Sequence, residues 1–210
     1  MVNSPEFWSA GAVREKTKSP FELAISSVRA LHADVSQPYQ LFNWINKMGE
    51  KMYYYQAPTG FPDKGQYWIN TGALLNRMNF GLALASGRIP GVKVDLAALN
   101  NHHEPESAQA ALITYSKIIM PGRKLDETIK RLSPMLNDPK LMEKVNEASA
   151  KTPAATMATA TANDEMMDQQ AGLKGKRKSN FMAMQTTAGN NSMLAQVVGV
   201  IIGSPEYQRR

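Results

Sequence analysis

The sequence contains no cysteine, and this absence limits its chemistry more than any other. Without a thiol the chain forms no disulfide, has no thiolate nucleophile and cannot bind a metal through cysteine. The chain also has only three histidines, His32, His102 and His103, so a metal site built on imidazoles would depend on very few residues. The absence of cysteine does not indicate whether the protein is found in a reducing or in an oxidising compartment.

Long apolar runs are missing as well. The longest, Met193 to Ile202, is interrupted by Gln196 and is far shorter than the roughly 20 residues that a membrane-spanning helix needs. The first residues, MVNSPEFWSAG, have neither a basic start nor an apolar stretch, so they predict no signal peptide. We therefore expect no membrane span, and a signal peptide of a longer parent would lie upstream of Met1.

Sequence signatures of catalysis are also absent. There is no G-x-S-x-G turn, no phosphate-binding loop and no dinucleotide-binding glycine motif. The segment NNHHEPES suggests a metal site, but consecutive side chains on an irregular segment diverge, and the H-E-x-x-H spacing of a zinc helix is missing. His102 and His103 are therefore weak metal candidates, and a polar loop that caps the next helix is the favoured interpretation. We predict no cofactor.

The charge balance is basic, with a formal net charge of +6. Such a balance is compatible with an acidic partner and also with a charged surface that favours solubility. One dense basic cluster occurs, in GLKGKRKSN, and consists of Lys174, Lys176, Arg177 and Lys178. Because no aromatic residue is interleaved with it, as a base-stacking surface would require, nucleic acid is an unfavoured partner.

What the sequence does contain is a series of amphipathic helical patterns. In KSPFELAISSVRAL, Ser19 and Glu22 have capping-box spacing and Pro20 takes the first helical position. Further helices are predicted in QPYQLFNWINKMGEKM, TGALLNRMNFGLALASG, EPESAQAALITYSKII, LDETIKRL and DPKLMEKVNEAS. The positions predicted to be buried are Phe21, Ile25, Val28, Leu31, Leu41, Trp44, Ile45, Met48, Leu74, Leu75, Met78, Leu82, Leu112, Tyr115, Ile118 and Ile119. No strand-length alternating run competes, so we predict an all-α fold, an irregular helical bundle.

Two segments interrupt these helices. Residues 53–70, YYYQAPTGFPDKGQYWIN, lack a helical period and predict an ordered aromatic-rich loop, because their large aromatic side chains require burial. Residues 150–191 are polar and rich in alanine and threonine, which predicts a flexible linker of low order. We therefore divide the chain into a main helical body at 1–149, the linker at 150–191, and a terminal buried helix at 192–210 that packs back on the body.

One short phrase occurs at both ends of the chain, as NSPEFWS near the start and as GSPEYQRR at the finish. Serine, proline and glutamate in this order are typical of the start of a helix. The second copy follows a predicted helix that stops at Gly203, whereas only MVN precedes the first copy. We therefore expect the main body to be the C-terminal part of a longer domain, with its missing upstream part as a partner; chance repetition is the alternative.

Several segments resemble a known family when they are taken together and in order. They are SPEFWS, KSPFELAISSVRAL, APTGFPDKGQYWINTGALLNRMNFGLAL and VVGVIIGSPEYQRR, and the most specific positions are Pro58, Gly60, Trp68, Asn70, Leu75, Arg77, Asn79 and Phe80. They resemble the C-terminal portion of an uncharacterised bacterial family, domain of unknown function 1800. The resemblance implies a mainly helical protein, exported to the periplasm or cell surface, with an upstream portion rich in Trp, His, Asn and Glu.

The candidate ligand-binding residues lie in the aromatic segment and in the helix after it. Trp68, Asn70, Arg77 and Asn79 can line a groove. Arg77 offers a fork of donors to a carboxylate, phosphate or sulfate, and the aromatic residues offer a stacking face to a sugar ring. The structural alternative is that Asn70 caps the helix, Arg77 ties the loop down by bonding its carbonyls, and Trp68 fills the core.

Three functions of different classes remain open. The favoured one is a non-catalytic helical module of an exported protein that binds a partner protein or a surface polymer such as a polysaccharide. The second is a fragment of a hydrolase-like enzyme whose reactive residues lie upstream. The third is a basic nucleic-acid-binding domain.

Overall fold

Six α-helices are the main regular elements in the part of the chain that the computed structural model describes, which comprises residues 3–5, 8–9, 15–123, 125–136 and 192–209. The helices are α1 (Pro20–Ala30), α2 (Tyr39–Lys47), α3 (Thr71–Ala85), α4 (Ala108–Ile119), α5 (Asp126–Leu136) and α6 (Met193–Gly203). Two short 3-10 helices, Gly65–Tyr67 and Ala98–Asn100, and a two-stranded antiparallel sheet, β1 (Asp34–Val35) with β2 (Val92–Lys93), complete these elements. The predicted all-α class is confirmed.

Some predictions fall outside the described residues. They are the helix in DPKLMEKVNEAS, the linker at 150–191, and the basic cluster Lys174, Lys176, Arg177 and Lys178.

Across the ranges that are described, none of the helices combines the length and the apolarity needed to cross a membrane.

The core is organised around the pair α3 and α6. Residues 80–85 of α3 and residues 197–202 of α6 are buried throughout, so neither helix has a solvent face there. A Cβ atom placed on Gly81 would lie 2.8 Å from the Gly199 carbonyl oxygen, and one on Gly199 would lie 2.8 Å from the Leu82 Cα. The two backbones therefore touch at these glycines, and α4 and α5 pack on α6 as well.

The predicted start of α1 is observed in detail. The Glu22 backbone N–H donates to the Ser19 hydroxyl oxygen at 3.2 Å, and the Ser19 N–H donates to the Glu22 carboxylate at 3.0 Å. Pro20 occupies the first helical position. This reciprocal capping satisfies two backbone donors that have no partner inside the helix.

Replacing Ser19 with alanine should lower the free energy of unfolding by about 1 kcal/mol, because the Glu22 N–H loses its acceptor. The Ser19→Asp variant should retain the stability, since aspartate also accepts at this position. Urea titration followed by circular dichroism measures both. Equal unfolding midpoints for the alanine and aspartate variants would contradict a stabilising role of the cap.

The buried faces of the helices were predicted correctly only in part. The stripe on α2 is confirmed, since Leu41, Trp44, Ile45 and Met48 are all buried. The prediction is wrong for Phe21 and Ile25 on α1, Leu74 on α3 and Ile118 on α4, which are exposed.

Small and polar residues explain these errors. The buried face of α1 consists of Leu23, Ala24, Ser27 and the capping residue Leu31, with the Ser27 hydroxyl donating to the Leu23 carbonyl at 2.8 Å. A side chain that bonds its own helix in this way can be buried without an unsatisfied polar group. Spacing of large apolar residues alone therefore misses part of the buried face of α1, although Leu31 is buried as predicted and Val28 packs against the core.

The last described residues fold back across the start of the chain. Thr17 and Arg209 form an isolated antiparallel bridge, and the Lys18 N–H donates to the Gln208 carbonyl at 2.8 Å. Ser204 accepts from the Tyr207 N–H at 3.2 Å, so the C-terminal copy of the repeated phrase does begin a turn. This pairing brings together, beside α3, the segment before α1 and the segment after α6, which we call the two ends of the described chain.

Candidate functional site

The aromatic loop, defined here as residues 51–70 between α2 and α3, is held by an inner stack of rings. The Tyr55 and Phe61 centroids lie 4.7 Å apart, and those of Phe61 and Trp68 lie 5.8 Å apart. Trp68 is buried, and its indole N–H donates to the Pro62 carbonyl at 3.0 Å. The loop therefore has a small core of its own.

A second set of contacts fixes the loop to the segment before α1. Lys16 Nζ lies 2.9 Å from an Asp63 carboxylate oxygen, and this hydrogen bond is the main reason that the pKa of Lys16 is raised. Gly65 lies so close to Thr17 that a Cβ atom there would be 2.7 Å from the Thr17 hydroxyl oxygen. These contacts join the loop to the segment before α1, with the close approach of Gly65 to Thr17 as the tighter of the two.

Four tyrosines of this loop face solvent, contrary to the expectation that its aromatic side chains are buried. Tyr53 is 97% exposed, Tyr54 68%, Tyr67 53% and Tyr55 36%. Tyr55 is the least exposed of them and packs on Phe61. The expectation of burial is therefore correct for Trp68 and wrong for these four tyrosines.

Tyr53 also has an unusual backbone. Its φ angle is +66°, in the left-handed region that glycine and asparagine prefer. It is the third residue of a turn in which the Tyr54 N–H donates to the Lys51 carbonyl at 3.1 Å. Folding gains little from an exposed phenol ring here and would favour glycine, so the tyrosine is not explained by stability.

A second turn in the loop has the same spacing of lysine and tyrosine but a different backbone geometry, because it is the 3-10 helix Gly65–Tyr67 and Gln66 lacks the positive φ angle of Tyr53. The Tyr67 N–H donates to the Lys64 carbonyl at 3.1 Å, as the Tyr54 N–H does to Lys51. In both turns a lysine is the first residue and an exposed tyrosine is the fourth. In the first turn the Lys51 ammonium lies 3.5 Å from the centre of the Tyr54 ring, a cation–π contact.

The four residues predicted to bind a ligand do not form one open groove. Trp68 and Arg77 are buried, and Asn79 is half-buried. The Asn70 side-chain oxygen accepts from the Ala73 N–H at 2.8 Å, so it caps α3. Asn70 and Trp68 thus have the structural roles given above as the alternative, and ligand binding by the four stays a prediction.

Arg77 is fully buried and connects the two ends of the described chain. Its Nη2 donates to the Lys18 carbonyl at 2.9 Å, and its Nη1 donates to the Gln208 side-chain oxygen at 3.3 Å. Arg77 Nε has no hydrogen-bond partner among the described atoms. Burial lowers the pKa of Arg77 to about 10, against a smaller opposite effect of the Glu50 charge. The arginine bonds the chain ends and not, as the alternative supposed, the carbonyls of the loop.

The two neighbouring histidines are exposed in a turn before α4. His103 Nδ1 donates to the Asn101 carbonyl at 3.1 Å, and the Asn100 side-chain amide donates to the His103 carbonyl at 2.6 Å. Ser107 caps α4 by accepting from the Ala110 N–H, so this cap does not involve the histidines. In the described ranges, no group of three or more His, Cys, Asp or Glu side chains is arranged to hold a metal.

A surface cavity of about 580 Å³ lies elsewhere, where α1 and α4 end. Arg29, His32, Asn101 and Ile118 are among its lining residues. It includes none of the residues predicted to form a site and none of the exposed tyrosines. We therefore take the aromatic loop as the candidate site.

Comparison with known proteins assigns the family. The family model described as protein of unknown function (DUF1800) matches residues 1–209, essentially the whole chain. The chain belongs to the DUF1800 family. The resemblance to this family inferred from the sequence is thereby confirmed, and the assignment to its C-terminal portion stays a prediction. No curated protein and no solved structure matches this DUF1800 chain.

In this DUF1800 chain the tyrosines were identified only from the structure. Their sequence signal is the repeated spacing of lysine and tyrosine in KMYY and KGQY. Lysine ammonium groups can pair with anions, and the phenol rings offer flat apolar faces with a hydroxyl at the edge. The loop can therefore bind a ligand by stacking and by charge, and it presents no arrangement of side chains for covalent chemistry.

Proposed function

We propose that this DUF1800 chain is a non-catalytic binding module of an exported protein, and that its aromatic loop binds a polysaccharide of the cell surface. The observation that carries the proposal is Tyr53, which is 97% exposed at a left-handed backbone position. A bulky residue kept under backbone strain, where glycine would fit better, favours a role outside folding.

The chemistry of the loop suits a sugar ring. Pyranose rings have an apolar face of C–H groups, which packs on a phenol ring, and hydroxyls that bond to the tyrosine oxygen. Because the inner stack and the Lys16–Asp63 ion pair already fix the loop, little conformational entropy is lost when a ligand binds. Localisation in the periplasm or at the cell surface, which the family resemblance implies, is part of the proposal.

The Tyr53→Gly variant separates binding from folding. We expect it to lose polysaccharide binding while its free energy of unfolding stays level or rises by about 1 kcal/mol, because glycine relieves the left-handed strain. Affinity electrophoresis in gels that contain cell-surface polysaccharides measures binding, and urea titration measures stability.

Tyr39→Ala is the matched control, since Tyr39 is an exposed tyrosine on α2 outside the loop, and it should bind as the wild type does. Undiminished binding by Tyr53→Gly, or capture of a protein partner with no polysaccharide bound, would overturn the proposal. Release of reducing ends from a bound polymer would support the hydrolase interpretation in its place.

A further inference from the structure

We infer that the polysaccharide bound by the aromatic loop is acidic, with uronic acid units whose carboxylates pair with Lys51 and Lys64. This inference rests on the proposed function and adds the chemical class of the ligand. It rests on a difference between the charged side chains at the loop: the carboxylates have partners in the protein, whereas the lysines are exposed and form no ion pair in the described residues.

The carboxylates at the loop are already engaged with the protein. Asp63 pairs with Lys16 at 2.9 Å. Glu50, just before the loop, accepts from the Phe21 backbone N–H at 2.7 Å. Both carboxylates thus already have a partner in the protein, although the Asp63 side chain stays 92% exposed. Negative charge that would repel an acidic polymer is thus partly neutralised.

The lysines of the loop are not paired with carboxylates of the described residues, although the Lys51 ammonium lies 3.5 Å from the centre of the Tyr54 ring. Lys51 and Lys64 are exposed, and neither takes part in the ion pairs found in the described residues. Each begins one of the two turns that end at an exposed tyrosine, Tyr54 or Tyr67. Each of these two turns therefore carries one exposed ring and one cation, and in the first turn the cation lies over one face of the ring. A polymer with a carboxylate on each sugar ring offers a partner for both groups.

The modest number of cations favours this ligand over a nucleic acid. Residues 51–70 contain two lysines, no arginine and one aspartate. Nucleic-acid sites follow a backbone with a phosphate at every nucleotide and use a continuous basic groove. Two separate cations beside separate rings suit a polymer of lower charge density.

The test uses the full chain with polygalacturonate as the acidic probe and neutral galactan as its uncharged counterpart. We expect the wild type to bind polygalacturonate about tenfold more tightly than galactan, and this preference should shrink as salt is added. The Lys51→Gln/Lys64→Gln double variant should lose the preference and keep the weaker binding of galactan. The Lys93→Gln/Lys117→Gln variant removes the same charge from exposed positions outside the loop and should retain the preference.

The outcomes separate the inference from the function on which it rests. Equal binding of both polymers by the wild type, or an unchanged preference in the Lys51/Lys64 variant, overturns the acidic ligand and leaves polysaccharide binding in place. Absence of binding to either polymer overturns both. Tighter binding of single-stranded DNA than of polygalacturonate, lost in the same double variant, would assign the loop to nucleic acid and overturn the inference.

Discussion

The Gly199→Val variant is expected to lose most of its stability, because the centre of the core has no space for a side chain at this position. A Cβ atom on Gly199 would lie 2.6 Å from Leu82 Cδ2 and 2.8 Å from Leu82 Cα. The second distance involves backbone, so relief requires that α3 and α6 separate. We expect the free energy of unfolding to fall by about 3 kcal/mol or more, a large share of the total for a domain of this size.

Gly203→Ala on the same helix provides the control. There an added Cβ would lie 3.2 Å from Met78 Cγ and 3.3 Å from Met78 Cα, contacts that are tight but do not overlap as those at Gly199 do. The small steric cost is offset by the higher helix propensity of alanine, so the change in stability should stay within about 1 kcal/mol. Urea titration of both variants gives the comparison. A Gly199→Val protein as stable as Gly203→Ala would show that the backbones do not meet at Gly199.

Local features of the fold were predictable from the sequence, and long-range packing was not. The capping box at Ser19 and Glu22 and the apolar stripe of α2 depend on residues close in sequence, and both are observed. The inward face of α1 was harder to predict, because it includes Ser27, a polar residue whose hydroxyl donates to the backbone of its own helix. The contact of Gly81 with Gly199 joins residues far apart in the chain, and no local pattern indicates which glycines meet.

The candidate site shows the same division. Burial of Trp68 and the capping role of Asn70 agree with the structural alternative inferred from sequence. Exposure of Tyr53 was not predictable, because it depends on how much apolar surface the body offers beneath the loop. A search for repeated short spacings would have found the two lysine–tyrosine turns, although their shared hydrogen bond is visible only in the structure.

Replacing Arg77 with alanine should destabilise the chain nearly as much as Gly199→Val, because one buried side chain joins both ends of the described fold. The Lys18 carbonyl and the Gln208 side chain would each lose a donor, and a cavity would remain beside α3. These losses together should lower the free energy of unfolding by about 3 kcal/mol. Urea titration measures the loss, and faster proteolysis near residues 15–18 and 204–209 should accompany it.

The Arg77→Met variant distinguishes the effect of the charge from that of the packing. Burial lowers the pKa of Arg77 to about 10, which means that the fold bears the cost of desolvating a cation at neutral pH. Methionine removes this cost and fills much of the volume, so Arg77→Met should be more stable than Arg77→Ala by about 1 kcal/mol or more. Arg29→Ala, at an exposed arginine of α1, should leave stability nearly unchanged. If Arg77→Ala is as stable as Arg29→Ala, the hydrogen bonds of Arg77 do not hold the chain ends together. If Arg77→Ala and Arg77→Met lower the free energy of unfolding equally, the buried charge is not a significant cost.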